Sequence, residues 1–210
     1  MAQIKEGPLG QVTGTVGNIT IGKWKGKTTV RNRRSSTKTP PSQAQLEQQA
    51  KLSVAGKFLR VLKDILRVGF RNYVSQMNGF NEAVRYNLKY AIAGNYPDYS
   101  IDFSKILVSR GELLNESDPK TTVNAGQVTF TWSPVSQKGI ADDDKAILVV
   151  YCEALNKCVY DLGGAIRSAG TATIAAPRFK GYEVQTWLAF ISAKGKDVSD
   201  SIYTGKLTVT

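Results

Sequence analysis

Lys145-Ala146-Ile147-Leu148-Val149-Val150-Tyr151-Cys152-Glu153 is the stretch on which the fold reading turns, and Glu183-Val184-Gln185-Thr186-Trp187-Leu188-Ala189-Phe190-Ile191-Ser192 is its counterpart further along the chain. Both are of strand length, rich in β-branched and aromatic residues, and bounded by turn-forming Asp, Asn or Gly. Working outward, five more stretches complete the pattern: Ile101–Ser109, Gln127–Ser133, Cys158–Gly163, Thr171–Ala176 and Ser201–Val209. Gly, Pro, Asp and Asn separate them, and the segment from residue 95 to 210 has the length of an immunoglobulin-like or fibronectin-type sandwich. Trp132 and Trp187 each fall on a strand and are expected to fill the core between two sheets.

Helical periodicity precedes this region. Ser42 follows Pro40-Pro41 and has Gln45 three residues on, the spacing of a capping box. The helix it opens is expected to run to about Phe70. Val54, Phe58, Val61, Leu62, Ile65, Leu66 and Val68 form one broad arc, and Lys57, Arg60, Lys63, Arg67 and Arg71 form the complementary one. A second helix fits from Met77 to Ala93, with Gly94 as its stop, and the pair reads as an αα-hairpin. The expected fold class is therefore α+β: an amino-terminal β-hairpin and basic arm, an αα-hairpin, then a carboxyl-terminal antiparallel immunoglobulin-like β-sandwich of about seven strands. The expected division is a basic region 1–94 (hairpin 8–32, linker 33–42, helices 43–71 and 77–93) and a sandwich 95–210.

The amino-terminal hairpin is punctuated by Gly10, Gly14, Gly17, Gly22 and Gly26. Gly17 to Lys23 matches the first seven positions of a phosphate-binding loop, but Trp24 stands where a Ser or Thr should bind magnesium. Ile19-Thr20-Ile21 prefers a strand, and no helix follows, so the segment reads as a hairpin. Lys23, Lys25, Lys27, Arg31, Arg33, Arg34 and Lys38 place seven cations and no acid within residues 23–38, with Trp24 among them. The spacing at 23, 25 and 27 predicts three lysines on one strand face, an arrangement suited to phosphate backbones, while Trp24 could stack on bases. No helix-turn-helix, zinc-finger or RNA-binding-motif pattern accompanies it.

The charge is concentrated here. The 210 residues carry a formal net charge of +11. Residues 1–94 hold 16 basic and 4 acidic residues, a net +12, and residues 95–210 hold 12 and 13, a net −1. Such asymmetry points to a polyanionic partner or to an acidic surface on another copy. The chain has no histidine, which removes Ser-His-Asp and Cys-His nucleophile pairs, His metal ligands and the usual proton shuttle near neutral pH. Cys152 and Cys158 are too few for a disulfide scaffold or a four-ligand zinc site; they flank a turn across which pairing is geometrically possible, but a cytoplasmic setting favours free, partly buried thiols. Asp142-Asp143-Asp144 lacks the spacing of a calcium loop and reads as a solvated turn, or as an acidic docking patch for the basic helix of a neighbouring copy. No catalytic residue, metal or cofactor is expected, and the chain reads as not an enzyme. With no signal-like or membrane-spanning stretch, the expected location is the cytoplasm or an assembled particle.

Met1-Ala2-Gln3-Ile4-Lys5, with Gly7, Leu9, Gly10, Gly14, Val16 and Gly17, resembles the start of an uncharacterised family of roughly 200-residue proteins common in Bacteroidota. Trp24-Lys25-Gly26, Pro40-Pro41-Ser42, Gly79-Phe80-Asn81, Asn95-Tyr96-Pro97 and Ala189-Phe190-Ile191-Ser192 fit the same resemblance, which covers nearly the whole chain. It implies one co-evolving unit and carries no activity and no catalytic residue. The helix start after a basic stretch also looks like segments of phage structural proteins. The expected function is that of a structural or assembly protein. It would self-associate, or dock on a larger particle, through its amino-terminal arm and amphipathic helices. The alternative is a sequence-nonspecific nucleic-acid binder using the basic half. A homo-oligomer or larger assembly is the expected partner; no small-molecule substrate is expected, and a membrane ranks lowest.

Overall fold

The computed structural model describes residues 2–4, 13–24, 26–33, 40–73, 78–115, 118–134 and 141–210. The chain forms two compact units, residues 1–42 and residues 43–210. The division therefore falls at Ser42 and not at Gly94. The reason is packing: the helices that follow Ser42 bury their apolar side against the β-strands and share one core with them.

The first unit is an antiparallel sheet of β1 (Ala2–Ile4), β2 (Gly14–Val16), β3 (Ile19–Trp24) and β4 (Lys27–Asn32), in the order β1-β4-β3-β2. The expected hairpin is present and extended by a strand on each side. Gly17 at φ +57° and Gly26 at φ +78° turn the two hairpins, a left-handed backbone that favours glycine. The segment resembling a phosphate-binding loop is strand β3. Linker residues 34–39 lie outside the described residues.

The second unit opens with α1 (Gln43–Val61), α2 (Lys63–Gly69) and α3 (Gly79–Tyr90). The single helix expected to Phe70 is divided at Leu62, whose backbone lies at φ −91° and ψ 9°. The αα-hairpin holds, with α3 packed on both α1 and α2. Asn78 caps α3, its Oδ1 accepting from the backbone N–H of Phe80 at 3.2 Å. Gly94 does not stop this helix. It sits at φ +89° in β5 (Ile92–Asn95), which pairs with β6 (Asp98–Ile101), and a Cβ there would strike the Asp98 carbonyl oxygen.

Seven further strands follow: β7 (Lys120–Asn124), β8 (Gln127–Thr131), β9 (Lys145–Cys152), β10 (Lys157–Ile166), β11 (Thr171–Ala175), β12 (Glu183–Ile191) and β13 (Ile202–Thr208). They form two antiparallel sheets, β10-β9-β12-β13 and β11-β8-β7. In the immunoglobulin constant arrangement the fourth strand joins the first, second and fifth; here the fourth of the seven, β10, pairs with the third, β9. Six of the expected strands are in place, and β7 replaces Ile101–Ser109. That last stretch becomes a 3-10 turn at Phe103–Lys105 and then an irregular buried segment tied down by side chains. The Asn87 side-chain amide accepts from the Leu107 N–H and donates to its carbonyl, both at 3.0 Å, and Ser201 Oγ accepts from the Val108 N–H at 2.9 Å.

β9 and β12 are buried on both faces. Ile147, Val149, Tyr151, Trp187, Ala189 and Ile191 face the helices, where they meet Phe58, Leu59, Leu62, Ile65 and Leu66. Ala146, Leu148, Val150, Cys152, Val184, Leu188 and Phe190 face the other way and meet Val128, Phe130, Trp132 and Ile174 of the smaller sheet. The unit therefore has three layers: helices, a four-stranded sheet and a three-stranded sheet. Trp132 fills the space between sheets as expected, its ring 5.6 Å from that of Phe190. Trp187 does not; it lies in the helix–sheet layer beside Phe58, Phe103 and Tyr203, because its register position is on the opposite face of β12.

Gly69 brings α2 close against the backbone of the 108–109 segment. A Cβ there would collide with the Val108 carbonyl oxygen, and the Arg110 N–H donates to the Gly69 carbonyl at 2.9 Å. Gly56, in α1, has nothing within 4 Å of the same position. Gly69→Ala is expected to cost about 1–3 kcal/mol or more. Gly56→Ala is expected to raise stability by about 0.5–1 kcal/mol. Urea unfolding of the two variants checks the pair.

Candidate functional site

Register decides what the amino-terminal sheet presents. β2 pairs with β3 as Val16↔Ile19 and Gly14↔Ile21, and β3 pairs with β4 as Ile19↔Asn32, Ile21↔Val30 and Lys23↔Thr28. These residues share one face, whose apolar members are Val16, Ile19, Ile21 and Val30. The pairs Thr20↔Arg31, Gly22↔Thr29 and Trp24↔Lys27 occupy the opposite face, with Thr15. One side of the sheet thus carries an aliphatic patch with Lys23, Thr28 and Asn32 at its ends, and the other carries threonines, two cations and a tryptophan. No side chain of residues 13–24 and 26–33 is buried, and Val16, Ile19 and Trp24 are 69%, 44% and 68% exposed.

The expected row of three lysines is not formed. β3 ends at Trp24 and β4 begins at Lys27, and the register puts Lys23 beside Thr28 and Lys27 beside Trp24, on opposite faces. Lys25, Arg34 and Lys38 lie outside the described residues, and Arg33 is exposed just beyond β4.

On the helices, Lys57, Arg60, Lys63 and Arg67 are exposed as the periodicity predicts, with Arg67 3.6 Å from Asp64. Arg71 is not part of an open face; it is half-buried, with its Nε enclosed and without a hydrogen-bond partner. The apolar arc of these helices is consumed by the chain's own core, so they offer a partner only their cationic side. Among the described residues no helix is long and apolar enough to cross a membrane.

Sequence reading missed a cluster around α3. Arg110 stacks between Tyr73 and Tyr86 at 4.7 and 4.9 Å, Lys89 lies 5.0 Å over Tyr90, and Arg85 pairs with the buried Glu82 at 2.8 Å. Arg110 and Tyr73 come from segments outside α3, and only the fold brings them to it. A groove of about 480 Å³, lined by Lys57, Phe58, Tyr99, Phe103, Tyr151 and Glu153, runs beside α1. Burial pushes the Tyr151 phenol up to about 12, so it stays protonated at neutral pH.

The acidic triplet is divided. Asp142 and Asp143 are exposed, whereas Asp144 is buried 3.2 Å from Arg167, itself buried and stacked 3.8 Å from the Phe190 ring. Asp144 therefore cannot belong to a docking patch: it is the counter-ion of a guanidinium inside the unit. Burial raises the Asp144 carboxyl above the usual carboxylate range more strongly than Arg167 draws it down, so the pair is held at a cost. Asp144→Ala, which leaves the guanidinium uncompensated, is expected to cost about 3–5 kcal/mol. Replacing both partners with apolar residues should restore most of that, as denaturant unfolding would show.

The two cysteines do not face each other. Cys152 pairs with Lys157 and Cys158 with Tyr151, so the thiols point to opposite faces of the sheet, and both are free. Cys158 Sγ donates to the Val61 carbonyl at 3.3 Å, and burial pushes its thiol up to about 11. Its alkylation at pH 8 should be slower than that of an exposed thiol by about two orders of magnitude. Because the folded value is raised, this thiol's contribution to stability is complete below the unfolded value near 8.5 and is lost as pH rises towards 11. Alkylation rates and unfolding midpoints measured from pH 7 to 11 check both statements.

Among the described residues no three His, Cys, Asp or Glu side chains are grouped to hold a metal ion. Residues 11–205 match DUF6266, a family of unknown function. The chain matches no curated protein and no solved structure.

Proposed function

The chain belongs to DUF6266, a family of unknown function, and from its surfaces we propose that it is a non-enzymatic assembly module. The three-layer unit is the self-sufficient body. The amino-terminal sheet is the part that completes itself on another polypeptide: a further copy of the chain, or the surface of a larger particle such as a phage structure.

One observation carries this reading. The sheet has an aliphatic face of Val16, Ile19, Ile21 and Val30, and none of those side chains is buried. Strands gain independent stability from a covered hydrophobic face, and a sheet bare on both sides specifies its own register weakly. Full burial of a Val or Ile side chain contributes about 1.5–3 kcal/mol, so covering this face supplies what the sheet lacks alone. The edge strand β2 adds unpaired backbone groups to which a partner strand can bond. Among the described residues of the sheet itself, Lys23, Lys27 and Arg31 are exposed and none is acidic, which gives the contact a charge bias towards acidic surfaces.

Size-exclusion chromatography with light scattering on the full chain tests the proposal. A dimer or larger species is expected at high protein concentration, and it should persist at high salt because the contact is apolar. Ile19→Lys should return the chain to monomer without moving the unfolding midpoint of the sandwich. A wild-type chain that stays monomeric at every concentration, or an Ile19→Lys variant that assembles as well, contradicts it.

A further inference from the structure

The opposite face of the same sheet has a different chemistry, and we infer that it binds single-stranded nucleic acid, with a base stacked on Trp24 and phosphates held by Lys27 and Arg31. Three cross-strand rows build the surface: Trp24 beside Lys27, Gly22 beside Thr29, and Thr20 beside Arg31. Thr20, Gly22, Trp24, Thr29 and Arg31, together with Lys23, line a shallow depression of about 300 Å³. Lys27 and Arg31 are four residues apart on one strand, about 13 Å, with the bare backbone of Gly22 and the ring of Trp24 lying between and beside them.

Gly22 is the observation that points to a ligand. It lies inside β3, its backbone is not in the left-handed region, and nothing stands within 4 Å of where its Cβ would be. Neither its backbone conformation nor crowding among the described residues calls for glycine, which weakens a strand relative to other residues. With no bulge in the β3–β4 register, the remaining recurrent reason for a strand-interior glycine is close approach of a ligand or another backbone. Thr29 Oγ1 donates to the Gly22 carbonyl at 3.1 Å and ties β4 to β3 at this position. Beside it Trp24 is 68% exposed, a large ring at the rim of an open seat.

The pairing of ring and cations selects the ligand. A planar base rewards an exposed indole, and a phosphate backbone rewards cations spaced along a strand. An acidic peptide would use the cations but leave the indole and the open seat at Gly22 without a role. Residues 13–33 contain no acid that would repel a phosphate chain.

The test uses the full chain with labelled single-stranded DNA of about a dozen nucleotides, within the 4–16 that such surfaces cover. Anisotropy and intrinsic tryptophan fluorescence are read together. Trp132 and Trp187 are buried, so quenching on binding reports Trp24. Binding is expected at about 50 mM salt, weakening as salt rises. Trp24→Ala should weaken it by about 5- to 150-fold with little change in salt slope. Lys27→Gln and Arg31→Gln should each lower the slope by about 0.7. Gly22→Val, which favours the strand but fills the seat, should weaken binding and abolish quenching. Ile19→Lys, on the other face, should leave binding to the isolated chain intact, which separates this inference from the assembly proposal. Absence of quenching, indifference to Trp24→Ala and Gly22→Val, or equal competition by polyglutamate would overturn it.

Discussion

Two strands, β9 and β12, have no solvent side, and the larger unit is arranged around that fact. Ala146 to Cys152 and Val184 to Ile191 are buried without a break. Successive side chains of a strand point in opposite directions, so each strand needs two separate apolar layers to cover it. The three-stranded sheet is one cover and the α1–α3 hairpin is the other. This explains why the helices belong to the sandwich, why Trp187 packs on Phe58, and why Gly69 must approach the 108–109 backbone so closely.

The amino-terminal sheet stands in contrast. It alternates as strands should, yet none of residues 13–24 and 26–33 has a buried side chain, and the two faces differ in polarity. The same period-two rule that closes the larger unit leaves this one with an aliphatic side and a cationic, aromatic side. That division is the physical basis for assigning the two faces to different partners.

Much of this was legible. Strand lengths and turn residues placed six of the seven sandwich strands, and the helical arc of Phe58, Leu62, Ile65 and Leu66 marked the buried side. The family resemblance was legible at the amino terminus. The uninterrupted apolar runs at 146–152 and 184–191 also held the signature of two-sided burial, which a two-layer expectation passed over. Trp24-Lys25-Gly26-Lys27 held a two-residue hairpin signal that competes with a continuous strand, and reading it as a strand put Lys23 and Lys27 on the same face. Other features depend on tertiary contact alone. Asp144 reads like its neighbours until Arg167 arrives from 23 residues away, and the 106–110 segment has strand-like alternation but takes its partners from Asn87 and Ser201. No local pattern encodes which sheet β10 joins.

The proposed completion of the amino-terminal sheet by a partner, which the larger unit does not need, separates the two units in their stability. Hydrogen exchange by mass spectrometry, followed as a function of protein concentration, measures this directly, because opening free energies are read segment by segment. Amides of β3 and β4 should gain protection as concentration rises, while those of β9 and β12 stay strongly protected and unchanged. Protection of β3 and β4 that is high and independent of concentration would show a sheet sufficient in itself and would contradict the account.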